Sequence, residues 1–269
     1  MTHMIYVVPS LKAKEKLQCE GKAWAESQGF AYVPRGKRTI QDLMDEYGED
    51  FLVYSSRGPQ IDRPEGSHFF SLNMAELRIQ NLRKGQRDHL LEALMGKGSS
   101  QPPISVLDCT CGFGADAAVA SFGLPAGSRV DALEVSPLLE AVTAWGFSHF
   151  VHKKDDVTAA LRRISLRCGD YRGYLLSDEG PVYDVLYFDP MFQRPVEASC
   201  QFQPVRAIME HDGLTRDLIE RALQKARRRV VIKERDFRQL CRDFPDVALY
   251  GGKYSRIGYA VLECDSWKK

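Results

Sequence analysis

The sequence predicts an α/β protein: a doubly wound, mostly parallel sheet with an antiparallel edge, preceded by a small N-terminal α/β unit. Three observations lead to this class. Short apolar runs alternate with segments of helical periodicity along most of the chain. A glycine-containing turn follows the apolar run that begins at Ile104. The composition, 44% hydrophobic and 27% charged over 269 residues, provides for a sizeable core.

Residues 1–66 are expected to form the small N-terminal unit. Its strands are predicted from apolar runs at 5–8, 30–33 and 51–54. Its helices are predicted from helical spacing at 11–27, where Gly29 is the expected stop, and at 40–47. Arg57-Gly58-Pro59 is a turn signal that should end the unit.

Residues 67–103 are expected to connect this unit to a second domain over 104–269. The connector should be extended at 68–72 and helical at 73–95, with an interruption at Gly85. Residues 96–103 are rich in Gly, Ser and Pro, which is typical of a linker.

The domain at 104–269 repeats strand and helix regularly, which favours a parallel sheet covered on both faces. Strands are predicted at 104–109, 129–134, 164–167, 182–188 and 229–233. Helices are predicted from Gly114 onward and at 137–149, 214–227 and 240–244. Residues 247–250 and 258–264 should close the sheet as an antiparallel pair.

Charge and cysteine usage narrow the class of protein. Lys and Arg total 37 against 36 Asp and Glu, so an overall basic coat is excluded. The seven cysteines and six histidines lack zinc spacing, so no metal site is expected. No apolar stretch approaches the ~20 residues of a membrane helix. We therefore expect a cytoplasmic protein without a membrane partner. The sequence does not predict its oligomeric state.

The glycine-containing loop is the strongest local motif. Glycines let the backbone turn sharply and approach a ligand, while an acid in the first helical turn complements the helix dipole. Ala117 stands where a dinucleotide loop carries Gly or Ala, so a nicotinamide cofactor stays open. An acid before the loop instead suits a ligand that bears an amine. The predicted cofactor-binding residues here are Asp108, Thr110, Gly112, Phe113, Gly114 and Asp116.

Two further acids follow the next two predicted strands. Glu134 comes 20 residues after Gly114, where doubly wound domains place the acid that binds ribose hydroxyls. Asp170 could accept a hydrogen bond from an adenine amine. With their neighbours Val135 and Tyr171 they complete the predicted cofactor site. Each acid alone is more often a turn residue, but together they predict S-adenosyl-L-methionine as the cofactor.

The fourth strand of this domain ends in Asp189, Pro190, Met191 and Phe192, the predicted catalytic residues. They resemble the Asp/Asn-Pro-Pro-Tyr/Phe motif of methyltransferases that modify exocyclic amines of bases. Asp189 and the Pro190 carbonyl could accept the N–H bonds of such an amine, and Phe192 could stack on an extruded base. The alternative is a strand-ending Asp-Pro with a core aromatic.

Three segments resemble the bacterial small-subunit rRNA (guanine-N2)-methyltransferase J family: 108–123, 187–192 and 229–236. In that family the residue after Asp-Pro is Met, as it is here. The resemblance, which covers about residues 68–262, implies a Rossmann-like class I methyltransferase fold and S-adenosylmethionine. It also implies that the acceptor is guanine N2 and the partner is RNA, either rRNA or the small ribosomal subunit.

Other functions remain open from the sequence alone. A methyltransferase of protein carboxyls or small molecules would share the cofactor half of the site, and so would a nucleotide-binding protein without catalysis. Five basic clusters could contact RNA phosphates, although a solvated face explains each one alone. They are residues 35–38, 78–87, 153–154, 162–163 and 225–229.

Overall fold

The computed structural model describes residues 4–96, 102–190, 213–251 and 257–267. The strands are β1 (Tyr6–Pro9), β2 (Ala31–Tyr32), β3 (Phe51–Ser55), β4 (Gly58–Arg63), β5 (Gly66–Phe69), β6 (Ser105–Asp108), β7 (Arg129–Glu134), β8 (Ile164–Cys168), β9 (Val185–Phe188), β10 (Arg229–Glu234), β11 (Ala248–Gly251) and β12 (Gly258–Glu263). The helices are α1 (Glu15–Ser27), α2 (Ile40–Tyr47), α3 (Asn73–Arg83), α4 (His89–Met95), α5 (Ala115–Gly123), α6 (Pro137–His149), α7 (Asp155–Leu161), α8 (Tyr171–Leu176), α9 (Arg216–Lys225), α10 (Arg238–Asp243) and α11 (Cys264–Trp267).

The chain forms two compact units. Among the described residues, 4–71 and 136–150 belong to the first unit, and 72–96, 102–135, 151–190, 213–251 and 257–267 to the second. The second unit therefore contains the predicted cofactor and catalytic residues that the structure describes, whereas α6 belongs to the first. The boundaries predicted at residues 66 and 103 stay predictions.

The first unit is built on a five-stranded sheet in the order β2-β1-β3-β4-β5. β1 pairs in parallel with β2 and β3, while β4 and β5 continue the sheet antiparallel. α2 starts with a capping box: the Thr39 hydroxyl accepts from the Asp42 N–H, and the Asp42 carboxylate accepts from the Thr39 N–H at 2.7 Å. Leu43 of this helix is fully buried against Val8, Phe51 and Val53.

The prediction that a turn at Arg57-Gly58-Pro59 ends this unit is wrong. The turn lies at residues 56–57, and the chain continues as β4, which pairs with β3 through Val53 and Gln60. All six residues of β4 are buried although half are polar, and Gln60 donates to both carboxylate oxygens of Asp62 at 2.8 and 2.9 Å. Because Gln60 and Asp62 pair with each other, these polar side chains can be buried. The strand therefore lacks the apolar pattern from which buried strands are predicted.

Close packing in the first unit leads to a stability prediction. Gly146 in α6 lies against the Phe70 ring, and a Cβ there would stand 1.9 Å from a ring atom. We expect Gly146→Ala to lower the free energy of unfolding by about 1–3 kcal/mol through overpacking. The matched control is Gly173→Ala in α8, where an added Cβ would meet no atom of the described residues within 4 Å, apart from its chain neighbours and the helix's own backbone. That change should be neutral or stabilise by about 0.5–1 kcal/mol. Urea denaturation measures both, and equal effects would contradict the packing explanation.

The second unit confirms the doubly wound sheet, in the order β11-β12-β10-β9-β6-β7-β8. β10, β9, β6, β7 and β8 are parallel, and β12 runs antiparallel between β10 and β11. The predicted bounds of β7 and α6 match the structure, and Gly85, at a φ of 75°, separates α3 from α4 as expected. The sheet core contains Leu107, Leu186, Phe188 and Val230.

Other predicted bounds differ. α1 begins at Glu15 instead of residue 11, because residues 10–13 form a turn in which the Ala13 N–H donates to the Ser10 carbonyl. The extended segment predicted at 68–72 ends at Phe69. Helices α7 and α8 were not predicted, since both are short and follow a strand or helix closely. Among the described residues, no helix is long and apolar enough to cross a membrane, and no cluster of metal-binding side chains occurs.

Candidate active site

The carboxyl ends of the five parallel strands bring the predicted acids to one edge of the sheet. Asp108 ends β6 and Glu134 ends β7. Asp170 comes two residues after β8 and Asp189 directly follows β9. β6 lies between β7 and β9, so the order of strands reverses beside Asp108. Open α/β sheets bind ligands in the crevice at such a reversal.

The loop after β6 has the geometry predicted from its glycines. Gly112 and Gly114 have φ angles of 54° and 74°, a region that side chains disfavour. The Gly112 N–H donates to Glu134 Oε2 at 2.8 Å, which fixes the loop to the end of β7. The Thr110 hydroxyl accepts from the Asp189 N–H at 2.7 Å, which fixes it to the end of β9. The half-buried Phe113 belongs to the same loop.

Asp108 is the buried residue from which this loop begins. Its Oδ1 accepts from the Thr110 N–H at 3.1 Å, and the residue is 2% exposed. Burial raises the pKa of Asp108 well above its ordinary value. A bound cation would therefore stabilise the ionised form here.

Three of the predicted residues that follow β7 and β8 have structural partners. Asp170 caps α8, since its Oδ1 accepts from the Arg172 N–H at 2.8 Å. Tyr171 is buried with its ring edge-on to Phe188, the centroids 5.4 Å apart. The Val135 carbonyl accepts from the Cys168 thiol at 3.9 Å. Cofactor contacts by these three residues stay predictions.

The register of the sheet places a lysine beside Asp189. Ile232 of β10 pairs with Phe188 of β9, so Lys233 and Asp189 are neighbours. The Lys233 ammonium donates to Asp189 Oδ2 at 2.7 Å and to Asp116 Oδ2 at 2.8 Å. The Lys233 side chain is 14% exposed and that of Asp189 29%. One buried cation thus joins two carboxylates.

Asp116 is the centre of this cluster. The Tyr187 hydroxyl donates to its Oδ2 at 2.7 Å, and the Arg78 guanidinium to its Oδ1. Arg78 comes from α3 and also binds both oxygens of Asp88, at 2.8 and 2.9 Å. Both oxygens of Asp116 therefore bind protein side chains. A cofactor contact by Asp116 stays a prediction.

The two carboxyls bound to Lys233 differ in pKa. Burial would raise the pKa of Asp116, but the charges of Lys233 and Arg78 hold it well below its ordinary value. For Asp189, burial dominates over the charge of Lys233, and the nearby Asp116 adds repulsion, which raises its pKa to about 6. Burial would lower the pKa of Lys233, but the two carboxylates raise it well above its ordinary value.

The residues after Asp189 are described only in part. Pro190 borders a cavity of about 1000 Å³ whose walls carry both apolar and arginine side chains. These include Leu214, Arg216, Ile219, Ile232, Arg235, Arg238 and Leu240. The predicted catalytic residues Met191 and Phe192 lie outside the described residues.

Sequence reasoning missed Lys233, Arg78 and Tyr187. Lys233 directly follows the apolar residues 230–232 of β10, and Tyr187 lies two residues before Asp189, on the same face of β9. Either could have been detected as a polar residue in a buried strand. Arg78 carried no such signal, because it comes from a helix 38 residues before Asp116.

At least four of the five basic clusters make structural contacts. In 35–38 the Arg38 guanidinium binds Glu46, and in 162–163 Arg163 donates to the Ser121 carbonyl at 2.6 Å. In the segment 78–87, Arg83 binds Asp156 and Arg87 binds Glu92, in addition to the contacts of Arg78. In 225–229, the Lys225 ammonium donates to backbone carbonyls of Tyr174 and Ser177. That tract also precedes β10 and so lies at the edge of the sheet opposite Asp189.

The arrangement fits S-adenosylmethionine. Its ammonium, ribose hydroxyls and adenine amine are hydrogen-bond donors, and Asp108, Glu134 and Asp170 are acceptors along one edge. A Cβ built on Gly112 would meet only the Thr110 carbonyl oxygen, at 3.9 Å, among the residues described and apart from its chain neighbours. This part of the loop therefore leaves room for a ligand.

Comparisons with known proteins identify a family and several relatives. A family model for SAM-dependent methyltransferases matches residues 67–257. YpiP of Bacillus subtilis (strain 168) is 28% identical over 230 residues, which cover 85% of this chain and 88% of YpiP. Ribosomal RNA small subunit methyltransferase J of Dechloromonas aromatica (strain RCB) is 29% identical over 195 residues, 71% of this chain and 76% of that protein.

The fold is similar to that of a solved structure. The SAM-dependent methyltransferase NGO1261 of Neisseria gonorrhoeae aligns with a TM-score of 0.61 and 18% identity, over 96% of this chain and 95% of that one. At this identity the likeness supports the fold alone.

Proposed function

Because the chain belongs to the family of SAM-dependent methyltransferases, we propose that it methylates an exocyclic amine of a base in small-subunit ribosomal RNA, with guanine N2 as the acceptor. The observation that carries this proposal is the Asp189 carboxylate. It lies at the carboxyl end of β9, bound to Lys233 and followed by Pro190, which has no N–H to compete for the amine. The proposed acceptor would place the enzyme in the bacterial cytoplasm.

The cofactor would be held by the loop after β6 and by Glu134, Asp108 and Asp170. When bound, S-adenosylmethionine supplies an electrophilic methyl group. Glu134 supports the Gly112 backbone and offers its carboxylate to the ribose hydroxyls. Asp108 stabilises the ammonium, whose charge favours the ionised form of this buried acid.

Asp189 would orient the acceptor. The lone pair of an aryl amine is delocalised into the ring, so the nitrogen must be aligned with the methyl group to react. Asp189 and the Pro190 carbonyl would accept its two N–H bonds, and alignment supplies most of the rate enhancement. As the nitrogen forms its bond to the methyl carbon, the bond from that carbon to sulfur would break and its electron pair would stay on sulfur. The nitrogen would lose a proton, which Asp189 can accept because its pKa is about 6.

The choice of RNA rests on the acceptor motif and on the relatives. Methyltransferase J of Dechloromonas aromatica is named for small-subunit ribosomal RNA. The cavity beside Pro190 is large enough for a nucleotide and has arginines in its wall, which suits a phosphate-bearing acceptor. A protein carboxyl or small-molecule acceptor would not need the two N–H acceptors at Asp189 and Pro190.

The test is methyl transfer to ribosomal subunits. Small subunits, large subunits and naked rRNA from a bacterial strain lacking its own rRNA (guanine-N2)-methyltransferases would be incubated with protein and labelled S-adenosylmethionine. We expect label in small-subunit RNA, recovered as N2-methylguanosine by nuclease digestion and mass spectrometry. Label confined to protein or to small molecules of a cell extract would contradict the proposal and favour another acceptor class.

Cofactor affinity gives a separate prediction for Glu134. Glu134→Ala removes the carboxylate that accepts from the Gly112 N–H, and it should weaken S-adenosylmethionine binding roughly 10- to 100-fold. Glu134→Gln keeps an acceptor for Gly112 but loses the charge, so it should weaken binding less. Calorimetric titration measures both, with the exposed Glu179→Ala as control. An unchanged Kd in Glu134→Ala would exclude Glu134 from the cofactor site.

A further inference from the structure

We propose that Lys233 is a positioning residue that acts through Asp189, and that Asp116 limits its effect by sharing the same ammonium. Lys233 would hold the Asp189 carboxylate in one orientation and favour its charged form. Asp116, as a second counterion, would leave Asp189 basic enough to take a proton. The consequence for methyl transfer rests on the proposed function, but the ionisation of Asp189 can be measured without it.

The geometry supports a rigid arrangement. Lys233 donates to Asp189 Oδ2, while the Asp189 N–H donates to Thr110 of the cofactor loop, so both ends of the residue are fixed. Asp116 is fixed by Tyr187 and by Arg78. With these partners in place, Lys233 lies between two carboxylates whose positions the surrounding strands and helices determine.

Charged and titratable groups from several elements surround Asp189. The groups that face it or its partners are Arg78 of α3, Asp88 before α4, Asp108 of β6, Asp116 of α5, Tyr187 of β9, Lys233 and Glu234 of β10, and Tyr259 of β12. Lys233 is the cation in direct contact with Asp189, and it is also bonded to Asp116. Removing either partner of this shared ion pair should therefore change the ionisation of Asp189 in a defined direction.

Two substitutions should shift the pKa of Asp189 in opposite directions. Lys233→Met removes the positive charge beside Asp189, and Asp116 stays paired with Arg78, so Asp189 should become harder to ionise. Asp116→Asn removes a negative charge and leaves the ammonium to Asp189 alone, so Asp189 should become easier to ionise. A charge within about 4–6 Å moves a pKa by about one to three units. A general loss of structure would not produce opposite shifts.

The first measurement is a ¹³C NMR titration of aspartate carboxyl carbons in the protein without cofactor, with the Asp189 signal assigned by Asp189→Asn. We expect the titration midpoint of Asp189 to rise by about one to three units in Lys233→Met and to fall in Asp116→Asn. Lys233→Arg keeps the charge and should stay nearer the wild type. Lys153→Met, at an exposed position, is the matched control and should not move the midpoint.

The second measurement is single-turnover methyl transfer to small subunits as a function of pH. Because the ionised carboxylate is required, the rate should fall as the pH drops through the midpoint of Asp189. The pH at which the rate falls should shift in each variant as the NMR midpoint does. Midpoints that stay in place, or that move in the same direction in Lys233→Met and Asp116→Asn, would overturn the role of Lys233. Opposite NMR shifts without RNA methylation would support that role and overturn the acceptor alone.

Discussion

Asp189→Ala should reduce the rate of methyl transfer by about 10²–10⁴-fold. This is the range expected when a side chain that accepts a proton from the reacting group is removed. The variant loses the carboxylate that would accept the amine N–H and the released proton. Affinity for S-adenosylmethionine should change little, because the loop after β6 and Glu134 keep their hydrogen bonds to each other. The rate is measured in a single turnover on small ribosomal subunits, and the affinity by calorimetry.

The variant should remain folded, since Lys233 keeps Asp116 as a partner when Asp189 is absent. Asp178→Ala, at an exposed position of the same unit, is the matched control and should transfer methyl groups at the wild-type rate. Wild-type transfer by Asp189→Ala would show that this carboxyl neither aligns the acceptor nor takes its proton.

Asp116→Ala should lower the free energy of unfolding by about 3–5 kcal/mol, the cost of removing one partner from a buried ion pair. The Asp116 side chain is 10% exposed and that of Lys233 14%. Its loss would leave Lys233 with Asp189 alone and deprive Arg78 and Tyr187 of a carboxylate. Urea denaturation at neutral pH measures the change.

The pH dependence of this effect has a definite sign. The surrounding cations hold the pKa of Asp116 below its ordinary value, so its stabilising contribution is present above the unfolded pKa of about 3.9. It is lost as the pH falls through the lower folded value. The stabilities of wild type and Asp116→Ala should therefore converge only in strong acid. Asp246→Ala, an exposed control, should be neutral throughout, and an equally small effect of Asp116→Ala would disprove the ion-pair assignment.

The sequence was sufficient to predict the edge of the sheet at which the site lies. Each of Asp108, Glu134 and Asp189 ends or follows a buried strand, and parallel strands bring their carboxyl ends together whatever their order. The order itself, with β9 beside β6, depends on pairing between residues far apart in the chain. The apolar pattern of a strand predicts that it is buried and does not identify its neighbour.

The ion cluster could not be predicted for the same reason. The helix dipole already explains an acid in the first turn of a helix, so there was no reason in the sequence to expect partners for Asp116. In the structure its partners come from α3, β9 and β10 and lie up to 117 residues from Asp116 along the chain. Likewise β4 carries buried polar residues that satisfy one another, and no local pattern reveals such pairs.

The assignment of α6 to the first unit has a consequence for biosynthesis. Trp145 lies against Gly58 of β4, and the Phe147 ring packs edge-on against Phe70, so residues 4–71 gain part of their core from residues 136–150. As the chain leaves the ribosome, the N-terminal segment cannot complete its packing until some 80 further residues have been translated. An N-terminal fragment that stops before α6 should therefore expose this apolar surface to chaperones.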